Sequence, residues 1–350
     1  MAGVLIRRAL RRSLDQIRHV RPVRPRQAGG LVGAVYRQVE RDFGMLAPPV
    51  ALHSPAPEPL AASWAMLRES LVATGQADRA TKEAVASAVS ESNACPYCVE
   101  VHTATLDGLG PSAASGPVGV WAKASATWQS ALDAEVPFPV THAPELIGVA
   151  VTFQYLNRMV HVFLGDSPLP PNVPAAARGR ARRFLGWFMG SAASRPVLAG
   201  ESLDLLPDAP LPRDLSWASG NPTIAATFAR ASGAIAAAGE RSVSGAVREL
   251  VTSRLSTWDG QPLGLSRAWV NEAIADLAPG DRAAGRLALL TAFASYQIDE
   301  SVVAEFRAAT PSDAALVELT SWSSMAAARR VGSWIPAYGR FDPPERSSTN

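Results

Sequence analysis

Two cysteines and a histidine stand at spacings that suit sulfur redox chemistry: Cys95, Cys98 and His102. On a helix, positions three and four apart share one face, so the three side chains would line up with Cys98 and His102 one turn apart. Pro96 suits the first turn of such a helix, where its missing N–H would have no partner anyway. Ser92 or Asn93 could cap just before it. Cys95 then lies at the helix start, where unpaired backbone N–H groups and the positive end of the dipole lower a thiol pKa. An imidazole beside Cys98 can take the thiol proton, or stabilise the thiolate once it is itself protonated. The second cysteine can condense with a sulfenic acid to form a disulfide. These are the parts that two-electron reduction of a peroxide requires. Either Glu83 or Glu91 could orient His102 as the third member of a relay, and spacing alone does not choose between them.

Other uses of the pair fit less well. A structural zinc site needs four ligands, usually a second Cys/His pair at matching spacing. The chain has no further cysteines, and His19, His53, His142 and His161 are not paired at short ligand spacing. No metal is therefore expected. Two inert buried cysteines are a common arrangement, but His102 beside them argues for reactivity. A close pair in an otherwise cysteine-free chain points to a reducing compartment, so a cytoplasmic location is expected. No Gly-rich phosphate loop follows a strand and no Walker-type lysine occurs, which leaves flavin, nicotinamide and nucleotide cofactors without support. The 33 basic and 31 acidic residues give a net charge of +2, too close to neutral for nucleic-acid binding over the whole molecule. No stretch reaches the apolar length of a membrane span.

The elements that must carry this motif read as helices. Apolar residues make up 47% of the 350-residue chain and recur at three and four, with no convincing alternating run. The expected helices are 31–43, 60–73, 79–92, 96–106, 118–134, 144–164, 174–190, 223–238, 242–257, 266–275, 280–293, 299–308 and 312–334. Val4, Leu5, Leu10, Leu14 and Ile17 predict an amphipathic helix within the Arg-rich segment 1–26, lying on the body. Proline clusters at 47–59, 167–174 and 205–222 mark connectors, and the polar tail after Pro336 is expected to fray. Between two of these clusters, Arg178, Arg180, Arg182 and Arg183 are followed by Phe184, Leu185, Trp187, Phe188 and Met189. A linker helix packing its aromatics on the body is expected there, without membrane contact.

The two halves look alike. Ala61 to Gly75 resembles Ala225 to Gly239, and Ala143–Ile147 followed by Asn157 and Arg158 has a loose echo in Ser312–Leu316 followed by Arg329 and Arg330. Two copies of one helical unit, about 55–166 and 215–336, account for this, although Ala-rich helices also match by chance. The divisions that follow are an arm at 1–54, a first unit at 55–166, a linker at 167–214, a second unit at 215–336 and a tail at 337–350. Where the first unit has its cysteines, the second has Thr257 to Gly264, with neither cysteine nor histidine.

Glu83, the Cys95-Pro-Tyr-Cys98 run and His102-Thr103 together resemble the alkylhydroperoxidase D-like group of the carboxymuconolactone decarboxylase superfamily. The match is strongest over 85–110 and looser over 60–165. The resemblance implies an all-α fold built here as two tandem units in a fused pseudo-dimer, the second degenerate. It implies a thiol-dependent alkyl hydroperoxide reductase, an enzyme with Glu83 rather than Glu91 polarising His102, Cys98 attacking the peroxide and Cys95 resolving. Some members carry a second histidine between the cysteines; Tyr97 stands there instead. Pro144 to Leu164, with Asn157 and Arg158, looks like the family's later helix, and the Asn-Arg pair is expected to be structural. An external dithiol donor, lipoyl-bearing or thioredoxin-like, is implied, with a peroxiredoxin as a further partner. Single-unit relatives assemble, so a homo-oligomer is expected. The true decarboxylases of the superfamily lack the cysteine pair, which argues against that reaction. Two other functions share the same features: general thiol–disulfide exchange with little peroxide turnover, and a non-catalytic helical scaffold.

Overall fold

A computed structural model describes residues 12–110, 115–169 and 173–336. Every regular element among the described residues is helical. The principal helices are α1 (Gly30–Asp42), α2 (Pro57–Leu67), α3 (Arg79–Ser92), α4 (Pro96–Leu109), α5 (Ser115–Ala124), α6 (Trp128–Asp133), α7 (Ala143–Phe163), α8 (Ala175–Ala193), α9 (Pro222–Ser242), α10 (Gly245–Thr257), α11 (Ala268–Ala273), α12 (Arg282–Phe293), α13 (Glu300–Ala309) and α14 (Asp313–Gly332).

Local chemistry sets several of these boundaries. Asp78 caps α3 by accepting from the Thr81 amide at 2.8 Å, and Asn221, Ser244, Asp299 and Ser312 cap α9, α10, α13 and α14 in the same manner. The prolines expected to mark a connector at 47–59 instead start helices: a one-turn helix Pro48–Ala51 and α2 both have proline in their first turn. The helix expected over 118–134 is two. α5 stops at Ala124, and Thr127 caps α6 by accepting from the Ser130 amide. The Ser125 carbonyl in the break accepts from the Trp334 indole at 3.0 Å. The expected amphipathic N-terminal helix is also corrected. Its described part is a 3-10 turn, Arg12–Gln16, followed by irregular chain through Pro22 and Pro25, although Leu14 and Ile17 are buried as the pattern required. Val4, Leu5 and Leu10 lie outside the described residues, as does the tail from 337.

Two helical units pack face to face. α2 lies along α9 and α7 along α14, so the helices that correspond by sequence are the ones that touch, the arrangement of an isologous dimer made within one chain. The second unit's loop after α10 closes on the first unit: the Asp259 carbonyl accepts from the Trp128 amide at 2.7 Å. Between the units Tyr155 is fully buried, with His53 at 2.8 Å and Ser321 at 3.1 Å from its hydroxyl. Burial pulls His53 down to about 4, so this ring stays neutral.

α8 lies against α4, the helix that carries the motif. The contact is backbone on backbone: a Cβ on Gly108 would stand 2.1 Å from the Gly186 carbonyl oxygen, and one on Gly190 2.6 Å from the Gly108 carbonyl carbon. Of the aromatic run, Met189 is buried and Phe188 half-buried, whereas Phe184 and Trp187 face solvent. The expectation that all would pack inward therefore fails for these two, which lie against each other at 5.8 Å on the outer face. Gly190→Val should force α8 off α4 and lower the urea midpoint by the equivalent of about 1–3 kcal/mol, as overpacking does; an unchanged midpoint would mean that the helices do not meet as described.

Candidate active site

The site begins at a tight turn between α3 and α4. Ala94 takes a left-handed conformation (φ 51°), uncommon for a residue with a Cβ, and the Cys95 amide then bonds back to the Ser90 carbonyl at 2.9 Å. This reversal puts Cys95 at the N-cap of α4 with Pro96 at the first helical position. Both cysteines are buried.

The two sulfurs share a hydrogen bond, and the charge settles unequally. Cys95 is pulled down to about 5, first by the Cys98 thiol and then, against its burial, by His161 and by the Cys98 backbone amide. Cys98 moves the other way, held well up by its bond to Cys95, by burial and by the neighbouring charge; the Asn157 side chain opposes this. Tyr97 is no proton carrier at ordinary pH, because burial drives its phenol far upward.

One turn along α4, His102 Nδ1 lies 2.6 Å from Glu83 Oε2, and the other oxygen of Glu83 accepts from Arg79 Nε at 2.8 Å. Burial would raise the Glu83 carboxyl, but Arg79 and His102 together outweigh it and hold the group below its ordinary value. An ionised carboxylate only accepts, so Nδ1 carries the hydrogen, and whenever the ring is neutral its lone pair is on Nε2. Phe153 of α7 meets the ring edge-on at 4.5 Å and fixes its plane. Glu91, the other carboxylate considered, instead pairs with Lys123 at the surface.

The structure thus pairs Glu83 with His102 and Cys95 with Cys98, all four buried, with His102 one turn beyond Cys98 on α4. Sequence reasoning missed the part of two further residues. Asn157, expected to be structural, does bond Ser90 Oγ at 3.1 Å and Asn93 at 2.9 Å, and it also acts on the Cys98 thiol, lowering it. His161 was weighed only as a metal ligand, yet it acts on Cys95. It lies four residues beyond Asn157, on the same face of α7, so placing Asn157 at the motif would have found it. Arg158 turns toward the second unit, giving Nε to the Ala292 carbonyl at 3.0 Å. No group of three His, Cys, Asp or Glu side chains able to hold a metal occurs among the described residues.

Residues 58–113, which span α2 to the end of α4, match the carboxymuconolactone decarboxylase family. Over 340 residues, 92% of this chain and 95% of the relative, the sequence is 37% identical to a protein named alkyl hydroperoxide reductase Rv2159c from Mycobacterium tuberculosis (strain ATCC 25618 / H37Rv). The chain belongs to the carboxymuconolactone decarboxylase family, in its alkylhydroperoxidase D-like group. The family match falls within the first half of the chain, and the similarity to the relative extends over 92% of it. No described helix is long and apolar enough to cross a membrane.

The pairing of Glu83 makes a pH prediction. Its folded-state pKa is depressed, so its contribution to stability is present above the ordinary carboxylate value of 4.5 and is lost as pH falls through the lower folded value. Glu83→Gln should therefore lower the urea midpoint relative to wild type at neutral pH, with the gap closing below about pH 4. A gap independent of pH would show that the carboxylate is not ionised in the folded protein.

Proposed function

We propose that the chain is a thiol-dependent peroxidase that reduces organic hydroperoxides with the Cys95–Cys98 dithiol. The observation that carries this reading is the Arg79–Glu83–His102 relay, in which Arg79 and the buried Glu83 of α3 hold His102 one turn beyond Cys98 on α4. A buried carboxylate is costly unless paired, and pairing it with an imidazole whose other nitrogen is a lone pair makes a general base. The name of the mycobacterial relative supports the same substrate class. The catalytic unit is 55–166 and the degenerate partner 215–336, joined by 167–214.

In this reading His102 takes the Cys98 proton, and the Cys98 thiolate attacks the outer peroxide oxygen. The O–O bond breaks, Cys98 becomes a sulfenic acid, and the alkoxide leaves as alcohol with the proton that His102 returns. Cys95, already stabilised as thiolate, attacks the sulfenic sulfur; the S–S bond forms as the S–O bond breaks, and the departing hydroxide takes a proton from solvent and leaves as water. The resulting disulfide is reduced by an external dithiol, for which a lipoyl-bearing or thioredoxin-like protein is suited, with a peroxiredoxin as a further partner. A cytoplasmic homo-oligomer fits this chemistry.

One observation favours a second order of events. The stabilised thiol is Cys95, the first cysteine, which suits general thiol–disulfide exchange, where the lower-pKa thiol attacks. Single-turnover reaction with an alkyl hydroperoxide, followed by sulfenic-acid trapping, separates the two. Cys95→Ser should accumulate a trappable sulfenic acid at Cys98, Cys98→Ser should accumulate none, and His102→Gln should slow thiol loss by about 10²-fold or more. Trapping at Cys95 instead, or wild-type thiols lost slowly to peroxide but rapidly to a disulfide substrate, would reject the peroxidase mechanism.

A further inference from the structure

His161 takes no part in the relay, yet its ring is fixed at both nitrogens. Nε2 lies 3.1 Å from the Ala94 carbonyl, and a carbonyl oxygen only accepts, so Nε2 carries a hydrogen whatever the charge of the ring. Nδ1 lies 2.8 Å from Ser295 Oγ. Ser295 belongs to a 3-10 turn, Ser295–Gln297, that follows α12 in the second unit. Ala94 immediately precedes Cys95, so the two bonds hold the His161 ring at the Cys95 backbone, and the Cys95 thiol is lowered by this neighbour. His161 is the one residue of α7 that is not fully buried. Its neighbour Arg158 bonds the Ala292 carbonyl close by, so the second unit grips this face of α7 at two points.

We propose that His161, clamped by Ser295 of the second unit, is a positioning residue that shares its Nε2–H between the Ala94 carbonyl and the Cys95 sulfur and holds that sulfur as thiolate. The second unit, which lacks cysteines, thereby takes part in the thiol chemistry of the first. The titratable groups facing Cys95 are few. From α4 come Cys98, which shares the charge, and Tyr97, which burial keeps neutral; from α7 comes His161. Arg158 is occupied with Ala292 and Gln154, Glu83 and Arg79 are spent on His102 and each other, and the second unit brings only the non-titrating Ser295 hydroxyl. Removing His161 leaves Cys95 with its bond to residue 98 and the helix start, so the thiolate should weaken without vanishing.

The inference rests on the dithiol reading of the site, but its test needs no turnover. In a Cys98→Ser background Cys95 is the one thiol, and ultraviolet absorbance of the thiolate against pH reads it directly. The Cys98→Ser/His161→Gln protein should titrate about one pH unit higher than Cys98→Ser, a tenfold change in proton affinity. Cys98→Ser/Ser295→Ala should shift in the same direction by less. Circular dichroism establishes that each variant is folded, and if the His161 variant is not, the Ser295 variant decides. Coincident titration curves in folded protein overturn the proposal. A shifted titration in a chain that never consumes peroxide supports it while rejecting the peroxidase reading.

Discussion

Of the twenty-one residues of α7, all but His161 are buried, and a helix with no solvent face must find a partner for every polar group it carries. That constraint organises the molecule. Glu145 at its start takes Lys82 of α3 at 2.8 Å and the amides of Gln76 and Ala77, which ties down the loop before the catalytic helices. Gln154 and Arg158 satisfy each other and the second unit. Asn157 satisfies the α3–α4 turn and the Cys98 sulfur. Burying one long helix between two units thus fixes the register of both against the dithiol. Each unmade bond would leave a desolvated polar group costing about 1–3 kcal/mol.

The first unit was legible where periodicity and local chemistry agree. α3 begins and ends where the pattern placed it, and the Pro96 start of α4 follows from proline alone. The redox motif was legible because its spacing is that of a helix face. What escaped were contacts between elements distant in sequence. Nothing local distinguishes Asn157 or His161 from other polar residues of an apolar helix; their roles exist only once α7 lies beside the α3–α4 turn. The break at Ser125–Thr127 escaped for a related reason, since the indole of Trp334 that bonds the Ser125 carbonyl lies in the other unit. Prolines misled when read only as terminators, because at the first turn they start helices as readily as they end them.

The dithiol itself shows how identical side chains are made different. Cys95 and Cys98 share one helix, one hydrogen bond and similar burial, yet the helix start and an imidazole fall to the first, and an amide side chain falls to the second. Two copies of one functional group are separated in acidity by geometry, as two carboxylates are in many acid–base enzymes. A separated pair can hold charge on one sulfur while the other stays protonated, and this is the state from which either order of attack begins.

Fusion of the two units has a consequence for how such a protein can change over time. Two free subunits meet by diffusion, and their complex falls apart on dilution; a tether makes the meeting intramolecular, at an effective concentration that for short flexible linkers is about millimolar. The halves of this chain stay together however scarce the protein is, and each chain carries a fixed ratio of one half with a cysteine pair to one half without. Selection no longer asks both halves to preserve the same chemistry. The second half is free to diverge on its outer faces while the face it lays along α7, with the Ser295 hydroxyl and the Ala292 carbonyl, remains in place.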